Sequence, residues 1–123
     1  MHILLVDDDQ FFQKFYAKKL TEKGFTVDTA SDGEEALAKV KTVKPELLLL
    51  DLIMPKKDGF EVLQALATDG TLQTLPVLVF STLGQDKDRE KAIKMGAKTF
   101  VNKSYFDFDG LLSKIAESTA KKV

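Results

Sequence analysis

The stretch LLLLDLIMPKKDG, residues 47–59, is the most informative part of the sequence for the fold. It places a carboxylate, Asp51, directly after an uninterrupted run of four leucines. Consecutive leucines of this kind are typical of a short strand that is buried on both faces, as in a parallel sheet. A charge removed from water is costly unless it is paired or bound to a metal. We therefore expect Asp51 to lie at the water-exposed end of a buried strand or to face a partner.

The size and charge of the chain limit the classes of function. Its 123 residues correspond to one domain, and 18 basic and 19 acidic residues give a net charge of -1. This balance provides no cationic field, so we expect no direct binding of nucleic acid. The absence of cysteine excludes disulfides and thiolate metal sites and fits a cytoplasmic location. The apolar run after the first residue is too short for a signal peptide or a membrane span.

Short apolar runs alternate with segments of helical spacing along the whole chain. The apolar runs are residues 3–6, 25–29, 47–50, 77–80 and 99–101. Helices are predicted from Asp9 to Gly24, over 33–43 with Asp32 as its cap, and over about 58–67, 86–95 and 108–121. Five strands that are each followed by a helix favour parallel pairing with right-handed crossovers. The expected fold is a doubly wound α/β domain with helices on both faces of the sheet.

Reactive side chains follow four of the five runs, at the sheet edge where such folds bind ligands. They are Asp7, Asp8 and Asp9 after the first run, Asp51 after the third, Ser81 and Thr82 after the fourth, and Asn102 and Lys103 after the fifth. The second run ends without a side chain of this kind. The edge therefore combines acids, hydroxyls and a lysine.

The acids at this edge indicate a metal site. Two carboxylates about 4 Å apart repel each other by about 4 kcal/mol at an effective dielectric constant of about 20, so Asp7, Asp8 and Asp51 need a cation. Oxygen ligands suit Mg²⁺ or Mn²⁺, whereas the lack of cysteine and the single His2 argue against zinc or copper. Asp9 is predicted to cap the first helix instead. Together with the lysine and the hydroxyls, these acids predict a site for a phosphoryl group at this edge of the sheet.

Four motifs in this order also carry a family resemblance: LLVDDD, LLLLDLIMPKKDG, LPVLVFST and GAKTFVNKS. Over the whole chain, the sequence resembles the receiver domain of bacterial two-component response regulators, the CheY-like type. The resemblance implies a flavodoxin-like (βα)5 fold with a five-stranded parallel sheet in the order 2-1-3-4-5. It also implies a receiver that signals in a phosphorelay and is not a turnover enzyme. Since the residues after Lys103 are enough for the fifth helix and nothing else, we expect one receiver domain over residues 1–123 with no output domain, either as a stand-alone receiver or as part of a longer regulator.

The resemblance assigns roles to the residues at the strand ends. It implies that Asp51 accepts a phosphoryl group from the phosphohistidine of a histidine kinase or a histidine phosphotransfer protein. It also implies that Asp8 binds Mg²⁺ directly and Asp7 largely through water, with Asp51 and the backbone carbonyl of Ile53 completing the protein ligands. Lys103 would then neutralise charge on the phosphoryl oxygens.

The resemblance further implies a conformational switch. Ser81 would move to hydrogen-bond a phosphoryl oxygen, and Phe100 would turn inward into the space left behind. The altered surface would be the face formed by the fourth helix, the fifth strand and the fifth helix. A downstream protein or a second receiver would dock there, without nucleic acid or membrane.

The chain departs from the family pattern at several positions around the site. Ser104 follows Lys103 where receivers usually have a proline, and a cis bond before a residue other than proline costs about 3 kcal/mol, so we expect a trans bond. Thr82 stands where a small residue is common and is expected to narrow access to the phosphoryl group. Ile53 and Leu83 occupy positions that tune dephosphorylation in the family. Because neither can orient an attacking water, we expect slow loss of the phosphoryl group.

Two other classes of function use parts of the same pattern. An enzyme of the haloacid dehalogenase type also has an aspartate after a strand, but it needs a second aspartate where this chain has Ile53. A flavin- or nucleotide-binding module needs a phosphate loop after the first strand, where DDDQFF would repel phosphate without a metal.

The aromatic residues of the first helix have a simpler interpretation. Phe11, Phe12, Phe15 and Tyr16 are predicted to pack in or near the core, and no role is expected for His2.

Overall fold

The structure is a computed structural model, and it describes residues 1–54, 56–81, 86–102 and 108–119. The strands are β1 (His2–Val6), β2 (Thr26–Ala30), β3 (Leu47–Leu50), β4 (Val77–Ser81) and β5 (Thr99–Asn102). The helices are α1 (Gln10–Glu22), α2 (Gly33–Val43), α3 (Gly59–Thr68), α4 (Asp86–Lys94) and α5 (Phe108–Thr119). None of the helices in these ranges is long and apolar enough to cross a membrane.

All neighbouring strands pair in parallel, in the order β2-β1-β3-β4-β5. One face of the sheet packs against α2, α3 and α4, and the other packs against α1 and α5. The predicted doubly wound α/β fold and its strand order are therefore confirmed.

The central strand β3 contributes to the core on both faces of the sheet. Leu48 and Leu50 pack on the side of α2, α3 and α4, whereas Leu47 and Leu49 pack on the side of α1 and α5. All four leucines are completely buried, and burial of one such side chain contributes about 1.5–3 kcal/mol. β3 is also hydrogen-bonded to β1 on one side and to β4 on the other. Pairing and packing together therefore fix the position of the next residue, Asp51.

Most predicted boundaries agree with the structure to within a few residues. The second strand starts one residue later than predicted, and β4 and β5 each continue one residue further, to Ser81 and Asn102. The caps predicted for α1 and α2 are present, and α3 also has a cap, in which Asp58 Oδ1 accepts the backbone N–H of Glu61 at 2.8 Å. The predicted end of the last helix at residue 121 lies outside the described residues.

A short 3₁₀ turn at Thr71–Gln73, which the sequence patterns did not predict, connects α3 to β4. The Asp69 carboxylate accepts hydrogen bonds from the backbone N–H and the hydroxyl of Thr71, at 2.9 and 2.5 Å. These bonds stabilise the charged form and lower the pKa of Asp69 below its usual value. The turn is thus stabilised locally.

The prediction for the aromatic residues of α1 is correct for only part of the set. Tyr16 is buried and packs edge-on against Phe80, with ring centroids 5.0 Å apart. Phe11, by contrast, is 74% exposed, and Phe15, which stacks on it, is exposed as well. The core prediction is therefore wrong for these two residues, because they lie on the solvent side of the helix.

His2 also has a structural contact that the sequence patterns did not indicate. It is the first residue of β1, and its ring contacts the carboxylate of Asp28 on the neighbouring strand β2. His2 lies at the start of β1 and Asp28 in the middle of β2, whereas the predicted site lies at the carboxyl ends of the strands.

Candidate metal and phosphoryl site

Parallel pairing places the first and third strand ends side by side. Val6 is opposite Leu50 in the register, so the next residues, Asp7 and Asp51, emerge together at the carboxyl edge. The backbone N–H of Asp51 donates to the carbonyl of Val6 at 3.1 Å, which continues the ladder to the first residue of the loop. The two acids are therefore fixed by the sheet itself.

Three carboxylates form one acidic cluster, to which Asp7, Asp8 and Asp51 each contribute one oxygen, all within 4.8 Å of one another. Asp7 is 2% and Asp51 is 6% exposed, whereas Asp8 is open to solvent. Carboxylates in such proximity repel each other strongly when they are shielded from water. An arrangement of carboxylate oxygens fits a hard divalent cation such as Mg²⁺ or Mn²⁺.

Asp9 belongs to the helix and not to the cluster. Its Oδ1 accepts the backbone N–H groups of Phe11 and Phe12 at 2.9 and 3.2 Å, which confirms the predicted cap of α1. Its own backbone N–H donates to Oδ1 of Asp7 at 2.9 Å. The cap of the helix thus also orients one carboxylate of the cluster.

The loop after β3 is tightly folded around Asp51. The backbone N–H of Ile53 donates to Oδ1 of Asp51 at 3.2 Å, and the N–H of Gly59 donates to the carbonyl of Leu52 at 3.0 Å. A Cβ atom on Gly59 would lie only 2.5 Å from the carbonyl oxygen of Asp51, so only glycine fits here. The side chain of Ile53 is 50% exposed beside the acid, and its carbonyl as a metal ligand stays a prediction.

The predicted switch residues lie on β4 and β5. Ser81 is the last residue of β4, is completely buried, and pairs in the register with Asn102. Phe100 is half-buried and packs against the core on the side of α2, α3 and α4. The hydroxyl therefore lies at the carboxyl edge, on the strand next to β3, but its movement stays a prediction.

Part of the predicted site lies outside the described residues. This applies to Lys103, Thr82 and Leu83, and to the bond between Lys103 and Ser104. The roles and the conformation predicted for them stay predictions.

One buried polar residue beside the cluster was missed at the sequence level. Gln13 on α1 donates from Nε2 to the carbonyl of Asp7 at 2.9 Å and to the carbonyl of Ala30 at 3.1 Å. A signal was available, because Gln13 has the same helical spacing as the buried Tyr16 and Leu20. A glutamine in an apolar stripe indicates a buried hydrogen-bonding role.

The family of the chain follows from comparison with known proteins. The family model of the response regulator receiver domain matches residues 3–116. Together with the parallel sheet and the acidic cluster, this match shows that the chain belongs to the receiver-domain family of two-component response regulators. Phosphorylation-based signalling is the known role of this family. The resemblance seen in the sequence is therefore confirmed.

Curated relatives are longer proteins. The alkaline phosphatase synthesis transcriptional regulatory protein PhoP of Bacillus subtilis is 36% identical over 103 residues, which are 84% of this chain and 42% of that protein. The response regulator MprA of Mycobacterium leprae is 36% identical over 115 residues, 94% of this chain and 49% of that protein. The chain thus spans less than half the length of these relatives.

Solved structures of receivers share the fold. A chain from the complex of CheX and CheY with BeF3 and Mg²⁺ of Borrelia burgdorferi has a TM-score of 0.89 and 33% identity, covering 98% of this chain and 90% of that chain. The response regulator TrrA of Thermotoga maritima, solved with Mg²⁺ and a beryllium fluoride, has a TM-score of 0.82 and 29% identity, covering 94% and 96%. Both of these receiver structures thus contain Mg²⁺ together with a beryllium fluoride.

Proposed function

We propose that this chain is a phosphoacceptor in a two-component phosphorelay and that Asp51 accepts the phosphoryl group. The observation that carries the proposal is the position of Asp51, which is buried at the end of the central strand and shares a cluster with Asp7 and Asp8. A carboxylate that the sheet holds at a fixed point is a suitable nucleophile for in-line attack.

The proposed cofactor is Mg²⁺, or Mn²⁺ in its place. Its ligands would be Asp8 directly, Asp7 largely through water, Asp51, and the backbone carbonyl of Ile53. When bound, the cation would offset the repulsion among the carboxylates and the charge on the phosphoryl oxygens. The all-oxygen composition of the cluster supports this choice.

In the proposed reaction, a carboxylate oxygen of Asp51 forms a bond to phosphorus as the bond from phosphorus to the histidine nitrogen breaks. The electron pair of that bond stays on the imidazole of the donor, and the product is an acyl phosphate. Lys103 would neutralise an oxygen of the transferred group. The chain would thus promote its own phosphorylation and dephosphorylation without turnover of a separate substrate.

The proposed output follows from the site. Ser81 would hydrogen-bond a phosphoryl oxygen on Asp51, and Phe100 would fill the space that the hydroxyl leaves. The two residues lie on the paired strands β4 and β5, where Phe100 is opposite Val79, two residues before Ser81, and this arrangement supports the proposal. The change would reach the face formed by α4, β5 and α5.

Incubation with acetyl phosphate and Mg²⁺ tests the phosphoacceptor role. Intact-mass measurement is expected to show one added phosphoryl group on the wild-type chain and none on Asp51→Asn, which cannot form the acyl phosphate. Asp58→Asn is the matched control, because this acid caps α3 and asparagine is an equally good cap, so labelling is expected to be normal.

The same incubation discriminates among the classes of function. Labelling that persists in Asp51→Asn would refute the assignment of the acceptor. Repeated hydrolysis of phosphomonoesters would favour a dehalogenase-type enzyme instead, and bound flavin without labelling would favour a cofactor-binding module.

We propose that the acyl phosphate is lost slowly, because the apolar side chains of Ile53 and Leu83 cannot orient water and shield the phosphoryl group. Ile53 is exposed next to Asp51, which supports this role. Ile53→Ala or Leu83→Ala is expected to shorten the half-life of the phosphorylated chain several-fold, measured by loss of the added mass. Phe15→Ala on α1 removes an exposed apolar side chain outside the site and outside the face of α4, β5 and α5, and it serves as a control. An unchanged half-life in both site variants would exclude shielding.

The proposed partners are a histidine kinase or histidine phosphotransfer protein as donor and a protein as downstream target, in the cytoplasm. We propose that the target, or a second copy of the chain, docks on the face of α4, β5 and α5. The exposed Ile93 on α4 supports this choice.

Sedimentation velocity with Mg²⁺ and beryllofluoride tests the homodimer. The wild-type chain is expected to sediment as a dimer only when both are present, and Ile93→Glu is expected to stay a monomer because it places a charge in the contact. A wild-type chain that stays monomeric at high concentration would contradict self-association and leave a different protein as the target.

A further inference from the structure

The turn between β2 and α2, residues 30–33, carries no acid of the cluster, yet it contacts both loops that do. The sequence patterns gave this strand end no role, because it lacks a reactive side chain. In the structure it contacts the loop after β1, which holds Asp7 and Asp8, and also the loop after β3, which follows Asp51. We call residues 30–33 the brace turn.

The first contact of the brace turn runs through Gln13. This side chain is 6% exposed, and its Nε2 lies 2.9 Å from the carbonyl oxygen of Asp7, 3.1 Å from that of Ala30 and 3.2 Å from Oγ of Ser31. The backbone N–H of Asp7 also donates to the carbonyl of Ala30, at 3.0 Å. Both polar groups of the Asp7 backbone are therefore hydrogen-bonded. The N–H bonds directly to Ala30 of the turn, and the carbonyl bonds to the amide of Gln13, which is itself bonded to the turn.

The second contact of the brace turn is with the loop after β3. Nζ of Lys56 lies 3.7 Å from Oδ2 of Asp32, whose Oδ1 accepts the backbone N–H of Glu35 at 2.8 Å and caps α2. Lys56 has a φ of 66°, a left-handed conformation that is uncommon for a residue other than glycine. Gly33 packs directly against the backbone of Lys57, where a Cβ atom would collide with the carbonyl oxygen.

Both loops of the acidic cluster are thus attached to one element that contributes no ligand. The carboxylates of the cluster repel each other, so each loop is under a force that would separate it from the other. The neutral amide of Gln13 and the ion pair between Asp32 and Lys56 attach the two loops to the brace turn. These contacts oppose the separation of the loops and do not compete for the cation.

We infer that Gln13 and Asp32 are positioning residues that tie both ligand-bearing loops to the brace turn and thereby set the affinity of the acidic cluster for Mg²⁺. This inference rests on the proposed function, because it assumes that the cluster binds the cation. Groups that orient metal ligands typically change metal affinity by about 10- to 100-fold when they are removed. Gln13 acts on a backbone carbonyl, so we expect about the lower limit of that range.

The test is calorimetric titration of the full chain with Mg²⁺, without any phosphodonor. Gln13→Met keeps the shape of the side chain but removes both donors, and its Kd is expected to rise about tenfold. Gln64→Met is the matched control, because Gln64 is an exposed glutamine on α3 that donates to Oγ1 of Thr68, at 3.3 Å, and not to the brace turn, so its Kd is expected to match the wild type. At saturating Mg²⁺, labelling of Gln13→Met by acetyl phosphate is expected to reach the wild-type rate.

The second contact is tested with Asp32→Asn and Lys56→Met. Asparagine keeps the cap of α2 and removes only the ion pair, so each variant is expected to weaken Mg²⁺ binding by about two- to fivefold. The double variant is expected to be no weaker than either single one, because both changes remove the same pair. If Gln13→Met does not fold, the Kd values of these variants for Mg²⁺ still test the inference.

The outcomes separate this inference from the proposed function. If wild-type protein binds no Mg²⁺, the proposed cofactor is wrong. If it binds Mg²⁺ and the brace variants melt at lower temperature but keep the wild-type Kd, the residues have only a structural role and the inference is overturned.

Discussion

The mutual repulsion of three carboxylates is the constraint on which the rest of this structure depends. Asp7, Asp8 and Asp51 are brought within 4.8 Å of one another at the end of a parallel sheet, and two of them are almost completely buried. A flexible chain would relieve this repulsion by moving the acids apart. Here the sheet prevents it, because strand pairing extends to the first residue of each loop: the backbone N–H of Asp51 donates to the carbonyl of Val6, and that of Asp7 donates to the carbonyl of Ala30. A divalent cation that binds to the cluster would offset this repulsion among the carboxylates.

The rigidity has a simple origin in the leucine run before Asp51. Alternate leucines of β3 belong to the two separate cores on either face of the sheet, so the strand is fixed from both sides as well as by its two neighbours. The close contact of Gly59 with the carbonyl of Asp51 then folds the following loop back onto the strand end. Burial, strand pairing and the contact of Gly59 together give Asp51 its position. The same residues that build the core therefore also build the site.

The sequence was sufficient for the features that depend on periodicity and on the order of elements. The alternation of strands and helices predicts the parallel sheet, and parallel strands necessarily bring Asp7 and Asp51 to the same edge. It was not sufficient for contacts between side chains far apart in the chain, such as Gln13 with Ala30 or Asp32 with Lys56. The exposed Phe11 shows a related limit, because an aromatic residue on a helix is assigned to the core by its hydrophobicity, whereas the buried stripe of α1 runs through other positions.

The central claim, that the clustered carboxylates form a cation site under electrostatic tension, is tested most directly by urea unfolding of the wild-type chain and of Asp8→Asn, each with a chelator and with Mg²⁺. In chelator, Asp8→Asn is expected to be more stable than the wild type, because one of three repelling charges is removed. Added Mg²⁺ at about 100 times its Kd is expected to stabilise the wild type by about 2.7 kcal/mol and the variant much less. A wild-type chain whose stability does not respond to Mg²⁺, together with a variant that is less stable in chelator, would contradict the claim.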